Sequence, residues 1–495
     1  MKEKIVFAVK SAVWLIGFAV IFLSAANLLK PKYLYTSEYY SPETEIWESF
    51  YAMPKNSVDI LFMGSSHMYN TVNPAVFFEK TGLTGQNLSS SNQDIPTLYF
   101  YLKEALRFQS PEYVVIEGYG FKFHGLAMEE CYKRSLDDMK FSKIKAEAVR
   151  CWAENLPDEK PLARFFTISD YHSRWDELDH YDFNYKKYKT EIFGYIPVYY
   201  SSKDVVHDFY RIPAEPFEIE STTAQYFEKI VILCEDNGIK LAVMIAPDAS
   251  WNVQYSIPIE KLCKEYKVPF YDYNSEEKYE SLGIENSKDW ANAGHLNIYG
   301  AEKTTERLAF DLAESGFINA DYTNELDKYR KKLLDKWKVK NSNMIVRSGR
   351  NIGEYIQYIT DEDYIVCIQA ENAAYLNEEQ IKALNKLGCE SSFKEGENRI
   401  YTAVVHRGKT VLENMGNEFS ESEVKTDVMG VKIEIFTPYE DEKPVSMTVN
   451  NRRYEMNDGK MYIAVYSLKQ NKLIDYAAVN DENVITARYP WQYLE

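Results

Sequence analysis

The chain has 495 residues, 45% of them hydrophobic and 27% charged, with a formal net charge of −18. That length suggests two or three folded units rather than one core. The acidic balance excludes a nucleic-acid partner, because a phosphate backbone demands a Lys/Arg-rich surface.

The N-terminus carries the clearest physical signal. From Ser11 to Leu29 the sequence holds no charge. As a helix that stretch is about 28 Å long, close to the thickness of a bilayer's hydrocarbon core. Lys2, Lys4 and Lys10 precede it; Lys30 and Lys32 follow it. The count mildly favours an N-terminus inside and the remaining chain exported. Cleavage near Ser24-Ala25-Ala26 is the competing reading, but the apolar run exceeds a usual signal-peptide core.

After an aromatic, acidic stretch, Val58–Met63 reads as a strand ending in Gly64-Ser65-Ser66-His67. Pro74–Lys80 reads as a helix with Pro in its first turn. Asp94 is a candidate cap for the next helix, which runs down to Leu106. Tyr113–Glu117 reads as a buried strand. Residues 120–215 have weak periodicity and read as an insertion of irregular structure and short helices. Thr222–Asn237 is helical and stops at Gly238. Lys240–Ala246 and Val268–Tyr273 are strands, Ile259–Tyr266 a helix between them, and Ala301–Ser315 a strong helix closed by Gly316. Apolar strands alternating with amphipathic helices imply a parallel sheet covered on both faces. Ligands of such sheets bind beyond the carboxyl ends of the strands, where the GSSH turn sits.

Residues 323–340 read as a charged linker helix, and a second, smaller α/β domain follows over 341–495. In it, Tyr364–Gln369, Ile400–His406, Val431–Phe436, Ser446–Val449 and Met461–Ser467 are strand candidates, and Asn377–Leu387 is a helix. The cysteines at 131, 151, 234, 263, 367 and 389 are scattered, with no CxxC and no zinc-type spacing. They fit buried thiols, with one or two disulfides open if the domain is exported. No metal or cofactor is expected. The 40 tyrosines suit sugar-binding surfaces as well as ordinary core positions.

Ser66 is the candidate nucleophile. A serine that follows a strand and a glycine projects from a sheet edge, but its hydroxyl needs a base and backbone donors for the oxyanion. The candidate base is His295, in Asn292-Ala293-Gly294-His295-Leu296-Asn297, just before a helix. Chain order is immaterial, since Ser/His sites are defined by geometry. His124, His172, His180 and His207 lack ligand spacing and read as surface or packing residues.

The GSSH turn with the distal GHLNxxG resembles the SGNH/GDSL hydrolase superfamily over about 57–316. It looks closest to membrane-anchored members typified by the D-alanyl transfer protein and polysaccharide O-acetyltransferase partners. The resemblance implies a flavodoxin-like three-layer α/β/α fold, Ser66 as nucleophile and His295 as base. The family's aspartate three residues before the histidine is Asn292 here; Asp289 is the alternative, or the site works as a dyad. Gly64, Ser90 and Asn92 are the candidates for the oxyanion or substrate contacts, and His67 for substrate binding or a helix cap. The segments 364–388 and 399–416, with 446–481, resemble the interleukin-like EMT inducer/PANDER-type domain in permuted order, which implies a carbohydrate-associated role.

The expected organisation is an anchor over 1–32, an SGNH-like domain over 33–322 and the linker and second domain above. The expected function is a single-pass cell-membrane acyltransferase with its soluble domains outside the cytoplasm. It would O-acylate, most simply acetylate, a cell-surface polysaccharide, with a multispanning membrane O-acyltransferase as the implied partner. The alternatives are a carbohydrate esterase using the same residues, and a non-catalytic glycan-binding or assembly protein with a degenerate triad.

Overall fold

A computed structural model describes residues 2–30, 34–36, 39–41, 45–123, 135–155, 168–178, 182–183, 193–199, 201–202, 205–207, 217–319, 328–360, 364–391, 398–418, 420–438, 444–457 and 459–488. His124, Cys131, His180 and about half of the 120–215 insertion lie outside the described residues, as do 323–327 of the charged linker. Two compact units emerge, Met1–Trp337 and Lys338–Glu495.

The first unit opens on helix α1 (Lys2–Leu29). Its span Lys4–Leu29 has a mean hydropathy of 2.3 and none of its most apolar window is buried in the protein. Length and composition would let it cross a bilayer; a signal sequence would look the same.

Five parallel strands follow: β1 (Ile60–Met63), β2 (Gly85–Asn87), β3 (Tyr113–Glu117), β4 (Lys240–Ile245) and β5 (Phe270–Asp272). Their spatial order is β2-β1-β3-β4-β5. This is the flavodoxin-like order, whose switch point, and hence ligand crevice, lies between β1 and β3. Alternate residues enter opposite cores, as the two-residue period of a strand requires. Leu61, Met63, Val114, Ile116, Val243 and Ile245 pack on helices Glu45–Ala52, Ile95–Ala105, Ser221–Asp236 and Val253–Glu265. Ile60, Phe62, Val115, Ala242 and Met244 pack on Ser66–Thr71, Pro74–Thr81 and Ile298–Glu314. The unit is thus a three-layer α/β/α fold.

Local chemistry sets the helix ends. Asp94 Oδ1 accepts from the Thr97 amide at 2.7 Å and starts Ile95–Ala105. Asn297 Oδ1 accepts from the Tyr299 and Gly300 amides, so the last helix begins at Ile298, a turn earlier than its apolar periodicity suggests. Val253–Glu265 also starts earlier than expected. Asn252 caps it, and Pro258 lies inside it, costing one ladder bond without stopping the helix. The three-residue β2 was invisible as a pattern because it is too short for alternation to register.

Part of the insertion returns to the sheet. The Ile196 amide donates to Tyr69 O, the Asn87 amide to Phe193 O and the Ile298 amide to Val198 O. Gly194 makes the approach at φ +76°, where any Cβ would collide with Asn87 O.

In the second unit every strand pairing is antiparallel. One sheet has six strands, with Tyr364–Ala370 at its centre between Arg399–His406 and Met461–Ser467; another has four, over 422–456. Helices Ile352–Ile359 and Glu378–Leu387 cover the six-stranded sheet. Among the described residues the five cysteines, 151, 234, 263, 367 and 389, are free thiols, and all but Cys151 are buried. The disulfide alternative therefore finds no pair among them.

Candidate active site

β1 ends at Met63 and the chain turns sharply. Gly64 is required there, because a Cβ would lie 2.7 Å from Glu117 Cβ on the neighbouring strand. Ser65 caps the short helix that follows, its Oγ accepting from the His67 amide at 3.2 Å. Ser66 is the first residue of that helix, so its own N–H has no intrahelical acceptor.

His295 comes from the other end of the unit. Trp290–Asn292 and His295–Leu296 form a two-stranded ribbon, and Asn297 turns the chain into the last helix. The Ala249 amide donates to Ala293 O at 2.8 Å, tying this ribbon to the loop beyond β4. His295 Nε2 lies 2.8 Å from Ser66 Oγ, across 229 positions of sequence. On the far side of the ring, Nδ1 lies 3.1 Å from Asn292 Oδ1. An Nδ1–H donated to that amide oxygen leaves Nε2 free to accept the serine proton. Burial, with the neighbouring His67 adding to it and Asp248 opposing, pushes His295 down to about 4. The imidazole is therefore neutral, and competent as a base, at ordinary pH.

A second polar chain runs beside this pair. Ser65 Oγ donates to Glu117 Oε2 at 2.9 Å and lies 3.2 Å from His67 Nδ1. His67 Nε2 is 3.3 Å from Asp248 Oδ2, close enough for an ion pair but too misaligned for a hydrogen bond. The His67 ring stacks on Tyr119 at 4.0 Å and lies 4.8 Å from the His295 ring. Burial raises the Glu117 carboxyl, against opposing contributions from His67 and Ser65. Burial also raises Asp248, but His67 and the two Ser250 hydrogen bonds outweigh it and leave the group below its usual range. Asp248 is thus an ionised carboxylate within the site.

The sequence candidates fare unequally. Ser66, His295, Asn292 and His67 meet at the carboxyl ends of β1, β3 and β4. Asp289 does not join them. It is buried elsewhere, taking Lys303 Nζ at 2.6 Å and the Glu285 amide at 2.7 Å. Its backbone oxygen also accepts the Asn297 amide, so it braces the base of the last helix. Ser90 is engaged elsewhere: its amide donates to Gly64 O at 3.1 Å and its hydroxyl bonds Ser135. Gly64 contributes close packing and that carbonyl. Asn92 turns the chain at φ 47°. His67 is not the helix cap, a role Ser65 fills. Sequence reasoning missed Glu117 as a site residue, and Asp248 and Tyr119 altogether. The signal for Asp248 was its place directly after a strand-ending Pro247. His207 packs on Tyr279 and bonds Asn274 Oδ1, and His172 is exposed. Among the described residues no group of three or more His, Cys, Asp or Glu is arranged to hold a metal ion.

No family model and no curated protein matches this chain. Solved structures similar to it include the following two. One is described as an acylhydrolase of Bacteroides fragilis NCTC 9343, at 14% identity and a TM-score of 0.25, covering 54% of this chain and 94% of that one. The other is described as a GDSL-like lipase of Bacteroides thetaiotaomicron VPI-5482, at 13% identity and a TM-score of 0.25, covering 55% and 98%.

Proposed function

We propose that the chain is a membrane-anchored acyltransferase that moves an acyl group, acetyl in the first instance, onto a cell-surface polysaccharide through an ester on Ser66. The observation that carries this reading is the 2.8 Å approach of Ser66 Oγ to His295 Nε2 at the mouth of a parallel sheet. A hydroxyl and a neutral imidazole at that distance form a nucleophile–base pair.

In the first half-reaction Ser66 Oγ attacks the donor's carbonyl carbon as its proton passes to His295 Nε2. The bond to the donor's leaving group breaks, and His295 returns the proton to that group. The Ser66 amide, at the first position of its helix, would donate to the oxyanion that forms. In the second half, a sugar hydroxyl gives its proton to His295 and attacks the Ser66 ester. The Ser66–acyl bond breaks and the serine recovers its proton. Asn292 orients the imidazole, while the negative charge that favours its protonated form comes from Asp248, near His67. A multispanning membrane O-acyltransferase fits the donor side, and α1 fits a single-pass anchor with the remaining chain outside the cytoplasm.

The test is the acyl content of surface polymer in cells carrying Ser66→Ala. Loss of acylation is expected, and unchanged acylation would remove the enzyme reading. The same pair would serve an esterase with water as acceptor. Rapid hydrolysis of p-nitrophenyl acetate by the purified chain, with no gain from added glycan, would favour that chemistry instead.

A further inference from the structure

Three of the most exposed aromatic side chains of the first unit outside α1 are Phe141, Trp175 and Phe183, at 73%, 70% and 63% exposure. Exposing a large ring to water is unfavourable, and such rings are informative when they gather at one place. All three are tied to the end of α1. The carbonyls of a helix's last turn lack intrahelical partners. Here Arg174 Nη1 donates to Leu29 O at 2.6 Å. Arg174 also holds both Asp182 oxygens at 3.2 Å. Lys30, the first charge after the apolar run, pairs with Asp138. Tyr171 OH donates to Asp137 Oδ2 at 2.9 Å, joining the two groups of contacts. Trp175 directly follows Arg174, Phe183 directly follows Asp182, and Phe141 lies three residues after Asp138.

We infer that these segments form a collar seated on the bilayer that α1 spans, with Trp175, Phe183 and Phe141 inserted at headgroup level. The occupant is a lipid surface, because the segments that carry the rings are bonded to the end of a helix whose apolar window is not buried by protein. The level is set by Leu29 and Lys30, where the apolar run gives way to charge. Tryptophan favours that interfacial layer, its ring apolar and its N–H able to reach water or headgroups. The charges around the rings are of both signs, with Lys140 and Lys143 flanking Phe141 and Asp176 and Glu177 following Trp175. Insertion of rings, rather than attraction to anionic lipid, therefore drives the contact, and a zwitterionic bilayer suffices. The collar would hold the Ser66 unit at a fixed height above the membrane. This inference rests on the reading of α1 as a retained anchor.

The test uses the full chain in phosphatidylcholine vesicles whose acyl chains are brominated near the headgroup, which quenches tryptophan fluorescence only at close range. Trp14 lies within α1, so a Trp14→Phe protein isolates the others. The collar predicts that this protein still loses emission in brominated vesicles, and that adding Trp175→Phe abolishes the loss. Trp175 is exposed, so its replacement does not threaten folding. Quenching of the unaltered chain that vanishes completely in Trp14→Phe would overturn the collar and leave the anchor standing. Failure of the full chain to float with vesicles would overturn both. The acyl-transfer chemistry is not touched by any of these outcomes.

Discussion

Each unit of this chain buries a polar cluster, and the two differ in how completely their groups are paired. In the second unit, Asp475 is fully buried and accepts from Arg347 at 2.8 Å, from Tyr355 OH at 2.6 Å and from Arg488. Two cations and a hydroxyl converge on one carboxylate. In the first unit, Ser66 and His295 meet with no carboxylate on the outer imidazole nitrogen, and His67 Nε2 faces Asp248 Oδ2 without a hydrogen bond. Buried polar groups that are completely paired serve structure. Groups held short of full pairing in a crevice mark a site where something else must bind or react.

The largest expected effect separates the clusters most sharply. Ser66→Ala or His295→Ala lowers acyl transfer at least about 10³-fold, while stability stays within about 0.5 kcal/mol for the Ser66 change. Parallel assays of transfer and urea unfolding check this. Asp475→Ala should do the reverse. Removing one member of a buried ionic cluster strands the others, so the second unit's unfolding free energy falls by about 3–5 kcal/mol. A fall below about 1 kcal/mol would mean that the cluster is not the structural centre described.

Smaller effects probe the charge near His295. Because burial holds that imidazole at about 4, activity should fall as pH drops through that value and the base becomes protonated. Asp248 favours the imidazolium, so Asp248→Asn should move this acid limb to lower pH and reduce the plateau rate roughly tenfold, about 1.4 kcal/mol. A pH–rate profile that keeps its position would contradict a charge role for Asp248. The smallest change is Asn292→Asp. A carboxylate on Nδ1 raises the imidazole's basicity, so the limb moves to higher pH and the rate rises by a few-fold, on the order of 1 kcal/mol.

The parallel sheet was legible because β1, β3 and β4 are continuous apolar runs closed by turns. The Ser66–His295 pairing was legible through two short motifs, GSSH and GHLN. The acid position was not. Both Asn292 and Asp289 have a plausible spacing, and only the ribbon geometry decides between them: it aims Asn292 at His295 and turns Asp289 toward Lys303. Ser90 misled because its loop position is apt, yet hydrogen bonds to Gly64 and Ser135 occupy it. Asp248 was hidden because its distant partner, His67, reaches it only when β1 and β4 lie in one sheet, Ser250 being a local neighbour. In the second unit, Ser422–Val428 and Arg452–Met456 escaped notice because their outward residues are charged and their apolar alternation is short.

The most direct measurement is mass spectrometry of the purified chain after brief exposure to an acetyl ester. The account predicts an acetyl adduct on the peptide that contains Ser66, absent from both Ser66→Ala and His295→Ala proteins. An adduct on another residue, or one that persists when His295 is replaced, would contradict a reaction run by this serine and its imidazole.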